Sequence, residues 1–143
     1  MIEIYRYLAE ALVRQDRLED AGELLAFAAR NAPEDDSYAR AALLLAEALV
    51  AAAGGEQAAA STSFAEALRL LEEQQLLIDL SEARVALAHA LRSFGDTAGA
   101  RTELERARAT FVRMDARLLI GEIDEELAAL AEGAGSAGPL SAS

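Results

Sequence analysis

The sequence predicts an all-α protein, folded as a right-handed α-α superhelix of three helical hairpins and a C-terminal capping helix. The first observation is a repeat of small residues, because Ala21, Ala60 and Ala100 stand at nearly equal intervals along the chain. The second is composition, since alanine, leucine, glutamate and arginine dominate and β-branched residues seldom alternate. A helical repeat of this length indicates a solenoid, in which each hairpin buries its apolar face against the next.

Residues that start and stop helices give the boundaries of seven elements. Pro33 ends the second helix because proline cannot continue the backbone hydrogen bonds, and Ser37 is expected to cap the third. Gly54 and Gly55 end the third helix because residues without a Cβ turn the chain at little steric cost. The expected helices run from Ile2 to Arg14, Leu18 to Arg30, Ser37 to Gly54, Gln57 to Gln74, Asp79 to Phe94, Ala98 to Met114 and Leu118 to Glu132.

The repeat also predicts the domain organisation. One helical repeat domain is expected over residues 1–132, with hairpins at 2–36, 37–76 and 77–116, a capping helix at 118–132 and a flexible Gly/Ala/Ser tail at 133–143. The turn inside each hairpin recurs at the same intervals as the alanines, at Asp16-Arg17, Gly55-Glu56 and Gly95-Asp96.

Composition and charge exclude several classes of partner. The net charge is −12 and all 13 basic residues are arginine, so the phosphate contacts that drive nucleic-acid binding are disfavoured, as is binding to anionic membranes. No stretch is long and apolar enough to cross a bilayer, and the N-terminal segment has charges inside its apolar run, unlike a secretory peptide. With no cysteine in the chain, the cytoplasm is the expected location.

Motifs for catalysis or cofactor binding are missing from the sequence. Gly54-Gly55 has no following lysine, so it indicates a turn and not a phosphate-binding loop. His89 is the only histidine, and there is no cysteine to complete a zinc site with it. The acidic clusters, such as Asp124-Glu125-Glu126, have the pattern of solvated helix faces. We therefore expect no enzyme activity, no metal site and no cofactor.

The repeated residues carry a resemblance to a known family. The first hairpin resembles the tetratricopeptide (TPR) consensus at Leu8-Ala9, Leu12, Asp16, Leu18, Ala21, Leu25, Ala28 and Pro33. The third hairpin resembles it at Leu87-Ala88, Leu91, Gly95, Ala100, Leu104 and Ala107. The second matches at Ala48, Ala51, Gly55, Ala60, Phe64 and Ala67 but has Glu47 where leucine is usual. The resemblance implies a TPR-like solenoid over residues 2 to about 130.

The interval between equivalent residues is longer than the usual TPR repeat of about 34 residues. In this and in the run SFGDTAGARTELERARATF, the chain is similar to the long-repeat arrays of large ATP-binding LuxR-class and related actinobacterial regulators. Alanine-rich helices with arginine as the sole basic residue also suggest a GC-rich bacterial genome. The resemblance implies the sensory or scaffold part of a transcriptional regulator.

The resemblance further implies a binding surface. In TPR hairpins the first helix of each unit lines a concave groove. Carried onto this sequence, that groove contains Arg6, Glu10, Val13, Arg14, Leu45, Leu49, Val85, His89 and Arg92. Such a groove suits an extended or helical peptide whose apolar side chains contact the leucines and whose acidic groups meet the arginines. The alternative is that Leu45 and Leu49 pack against neighbouring helices because the second hairpin is shifted in phase.

Two functions remain open from the sequence. The first is a non-enzymatic protein- or peptide-binding module that uses the concave groove. The second is a structural self-assembly unit, a homodimer formed through an apolar end of the solenoid, with no separate ligand.

Overall fold

The chain forms seven α-helices and no strand within the residues described by the computed structural model, which are 2–31 and 35–142, with side chains described for 7–8, 10–31 and 35–133. The helices are α1 Ile2–Arg14, α2 Leu18–Asn31, α3 Ser37–Ala53, α4 Gln57–Glu73, α5 Leu77–Ser93, α6 Thr97–Arg113 and α7 Arg117–Ala142. The all-α prediction is confirmed. None of these helices is both long and apolar enough to cross a membrane.

Five of the connections between helices are the same turn. Each contains one residue with a positive φ, namely Asp16, Gly55, Gln75, Gly95 and Asp115. The N–H group of the following residue donates to the carbonyl five positions earlier, over 2.8 to 3.1 Å. This pattern is the Schellman motif, which satisfies carbonyl groups left free at a helix end.

These turns make the structural repeat half as long as the sequence repeat. Helices α3 to α6 each have 17 residues. The helices from α3 onwards begin at one constant interval, at Ser37, Gln57, Leu77, Thr97 and Arg117. One helix and the turn that follows it therefore form the structural repeat, and two structural repeats make one hairpin of the sequence repeat. The turns at Asp16, Gly55 and Gly95 were predicted as turns inside the hairpins. At Gln75 and Asp115 the sequence predicted only that a helix ends, at Gln74 and Met114, and not that the turn is the same.

Several helix boundaries differ from the prediction. Asp36 caps α3 in place of Ser37, because its extended backbone lets Oδ1 accept the Ala39 N–H at 3.0 Å. Helix α5 begins at Leu77, earlier than the predicted Asp79, because the turn at Gln75 closes early. Helix α7 continues to Ala142, through residues 133–142 that were predicted to form part of a flexible tail. The extension is possible because adding residues to an existing helix does not require a new helix nucleus.

The contacts divide the chain into two compact units. Unit 1 is Met1–Ala83, and in it α3 packs against α1, α2 and α4. The alanines of the repeat lie at these seams, since Ala21 and Ala60 are at most 1% exposed. Leu25 of α2 packs with Ala46 of α3, as expected for a residue that fills the gap to the next hairpin.

Unit 2 is Arg84–Ser143 and has its own core. Helices α5, α6 and α7 contribute the buried residues Ala88, Ala100, Leu104, Ala107, Phe111, Ile123 and Leu130. Of the repeat residues, Ala100, Leu104 and Ala107 are each at most 2% exposed. The small-residue register predicted from the sequence is therefore confirmed within each unit, and the superhelical arrangement of the hairpins stays a prediction.

The turn at Gln75 generates a test of backbone strain. Gln75 has φ 55°, which costs an L-residue energy that glycine does not incur. We expect Gln75→Gly to raise the free energy of unfolding by up to about 1 kcal/mol, the gain being reduced by the greater freedom of glycine in the unfolded chain. Urea unfolding followed by circular dichroism measures the change.

Gln74→Gly is the matched control. Gln74 has φ −83°, where glycine relieves no strain, and its side-chain amide donates to the Leu70 carbonyl at 2.9 Å. This variant should be less stable than the parent chain. Equal destabilisation by both substitutions would contradict the interpretation of Gln75 as a strained position.

Candidate functional site

The predicted groove residues of the first hairpin lie on α1. Arg6, Glu10, Val13 and Arg14 follow one another at helical spacing, which places them on one side of the helix. Glu10 and Val13 are partly exposed and Arg14 is exposed, whereas the side chain of Arg6 lies outside the described residues. Three of the four therefore present some side-chain surface.

The two predicted leucines on α3 behave differently from each other. Leu45 is 2% exposed, so its side chain belongs to the buried interior and is not available to a ligand. Leu49, one helical turn later, is partly exposed. The alternative of packing against neighbouring helices thus applies to Leu45, because its position on α3 falls on the buried face.

The predicted groove residues of the third hairpin lie on α5. Val85 packs against the core of unit 2, while His89 and Arg92 are exposed. His89 Nε2 lies 2.7 Å from Glu126 Oε2 of α7, so the imidazole is paired within the unit. No pattern in the sequence indicated this pair, because its members lie far apart along the chain. Six of the nine predicted residues belong to unit 1 and three to unit 2.

Unit 1 contains a groove that the sequence did not predict. We call it the α2–α3 groove, and its volume is about 570 Å³. Its lining consists of Leu18, Glu19, Gly22, Leu25, Ala26, Ala29, Glu47, Val50, Ala51, Gly54 and Glu56. Most of these side chains are apolar and many are small, and the three that carry charge are all glutamates.

Glu47 is the residue in this groove with the most unusual environment. Its carboxyl group is partly buried, and the loss of hydration raises its pKa above the ordinary value of 4.5. No described residue forms a hydrogen bond or ion pair with it. The sequence contained one indication that Glu47 is unusual, since it stands where the TPR consensus usually has leucine.

Several charged side chains of unit 2, in contrast, are paired with one another. Arg84 of α5 donates to Glu103 of α6 at 3.0 Å, and both are largely buried. Arg108 of α6 and Asp124 of α7 are 2.6 Å apart at the surface, and hydrogen bonding to Arg108 lowers the pKa of Asp124. These pairs join successive helices and leave no carboxylate free for a ligand among them, which indicates a structural role.

The residues with described side chains offer no group of three or more histidines and carboxylates that could hold a metal ion. Comparison with family models, with curated proteins and with solved structures finds no match to this chain. The resemblance to TPR arrays therefore remains an expectation from the sequence.

The environment of Glu47 predicts a pH-dependent effect on stability. Because folding raises the pKa of this carboxyl group, the ionised form destabilises the folded state. Glu47→Gln removes the charge, so it should increase the free energy of unfolding at pH 7. The increase should be fully present above the folded-state pKa and vanish below pH 4.5, the ordinary value, where the group is protonated in both states.

Glu23→Gln on the exposed side of α2 removes the same charge without a change in burial and serves as the control. Chemical unfolding of the three proteins at a series of pH values measures the difference. If Glu47→Gln behaves as Glu23→Gln does at every pH, the desolvation of Glu47 is not a source of instability.

Proposed function

We propose that this chain is a non-enzymatic protein- or peptide-binding module, in which exposed side chains on the first helix of each hairpin form the binding surface. On the strength of the resemblance, we place it in the bacterial cytoplasm as the sensory or scaffold part of a transcriptional regulator. In a TPR-like superhelix these side chains would face a common concave groove.

One observation carries this proposal. Buried repeat positions keep the same residue, as at Ala21, Ala60 and Ala100, which are each at most 1% exposed. The position on the first helix occupied by Glu10, Leu49 and His89 recurs at the same intervals and is at least partly exposed each time, yet its chemistry changes from acid to apolar to imidazole. A constant scaffold with variable exposed positions is typical of repeat proteins that bind other molecules.

The proposal predicts that peptides selected against the intact chain depend on the first helices. Peptides from a random phage-displayed library are selected on the parent chain, and their affinities are measured by calorimetry. Arg92→Glu on α5 should weaken selected acidic peptides by about tenfold or more, corresponding to about 1.4 kcal/mol. The exposed Arg113→Glu on α6 has the same charge change on a second helix and should leave the affinity unchanged.

Circular dichroism confirms that both variants are folded before affinities are compared. An equal effect of the two substitutions would indicate that the binding surface does not lie on the first helices. A library that yields no specific peptide would count against a peptide-binding function as a whole.

A second candidate function is self-assembly into a homodimer, and one observation favours it. Three large apolar side chains at the turn between α6 and α7 are exposed, with 49% of Val112, 42% of Met114 and 77% of Leu118 accessible to solvent. A second copy of the chain that covers this patch would remove apolar surface from water.

Sedimentation equilibrium at several concentrations tests this candidate. The self-assembly function predicts a mass that rises with concentration in the parent chain and in Ile78→Glu, whose parent residue is 48% exposed on α5. Leu118→Glu should remain monomeric at all concentrations, because it places a charge in the contact. A monomeric parent chain would contradict self-assembly.

A further inference from the structure

The α2–α3 groove has the size and lining of a small-molecule site. Its volume of about 570 Å³ lies within the range of about 300 to 1,000 Å³ that is usual for such sites. Leu18, Leu25 and Val50 provide apolar surface along it. Sites of this kind combine apolar walls with a few polar groups that fix the orientation of the ligand.

Gly22 provides an independent indication that the open volume of the α2–α3 groove has a function. It lies within α2, where glycine costs roughly 0.5 to 1 kcal/mol relative to alanine. A Cβ added to Gly22 would meet no atom within 4 Å, so packing inside the protein does not require glycine at this position. The residue lines the groove and keeps the α2 wall free of a side chain.

The charge of the lining indicates the class of ligand that the groove would bind. Glu19, Glu47 and Glu56 are its three charged residues, and no arginine is among the lining residues. Glu47 is partly buried and has no partner among the described residues, so its ionised form is poorly compensated. A cation in the groove would supply the missing ion pair, and a charge-assisted hydrogen bond from an N–H donor is stronger than a neutral one.

Other ligand classes fit this lining less well. An anion would approach three carboxylates, and a neutral apolar molecule would remove further water from Glu47 without compensating its charge. We propose that the α2–α3 groove binds a small organic cation, an amine or guanidine carried on an apolar body, with Glu47 as its counter-ion. This site is separate from the peptide surface proposed above and does not depend on it.

Three probes with one apolar body test the proposal: 4-phenylbutylamine, 4-phenylbutanol and 4-phenylbutyrate. Each is titrated into the full-length ¹⁵N-labelled chain, and amide chemical shifts are recorded. The amine should shift the amides of Gly22, Val50 and Gly54 in a saturable manner. The alcohol and the carboxylate should bind at least about tenfold more weakly, because neither can form an ion pair with Glu47.

Two variants and one control variant test whether the binding occurs in the groove. Glu47→Gln preserves the shape of the side chain and should weaken the amine by about tenfold, whereas Glu23→Gln should bind it as the parent chain does. Gly22→Leu fills the groove and should abolish binding of all three probes. The amide spectrum of each variant shows whether it is folded.

Three results would overturn the proposal. The first is equal affinity for the amine and the alcohol. The second is an amine affinity that is unchanged in Glu47→Gln. The third is the absence of saturable shifts at the groove with the amine. None of these results bears on peptide selection through the first helices, so the two proposals fail or succeed separately.

Discussion

The rest of this structure depends on how each helix ends. A helix leaves its last carbonyl groups without partners, and five of the connections solve this with the same left-handed residue and the same backbone hydrogen bond. Because one turn geometry follows helices of one length, the helices from α3 onwards begin at a constant interval. The regular spacing of the buried alanines follows from this backbone repeat, since equivalent positions of the hairpins lie at equivalent contacts between helices.

The sequence predicted the helices and the core well because both depend on local or periodic information. Ala21, Ala60 and Ala100 are buried as expected, and α1 has the predicted bounds. The positive φ at Gln75 could not be predicted, because the sequence there has no glycine to indicate a left-handed residue. Asp36 was missed as a cap for a related reason, since Ser37 next to it is an equally common capping residue.

The candidate site was harder to predict than the fold. The resemblance to TPR repeats assigned Leu45 and Leu49 to the groove face of α3, but a partly buried helix places residues one turn apart in different environments, and only Leu49 retains exposed surface. The pairing of His89 with Glu126 depends on how α7 packs on α5, which no local pattern encodes. The sequence shows Glu47 as an exception to the repeat, but its place in the lining of a groove became known only from the structure.

The equal length of consecutive helices also bears on how such a chain can change its length during evolution. From α3 onwards, a gain or loss of one helix and its turn preserves the backbone junctions, because the four junctions there have the same geometry. It nevertheless exchanges first and second helices in everything that follows, so the buried Ala21, Ala60 and Ala100 would no longer lie in equivalent helices of their hairpins. A gain or loss of two helices with their turns keeps each remaining helix in its role. Duplication of a whole hairpin therefore lengthens such a chain without changing the place of the helices that follow.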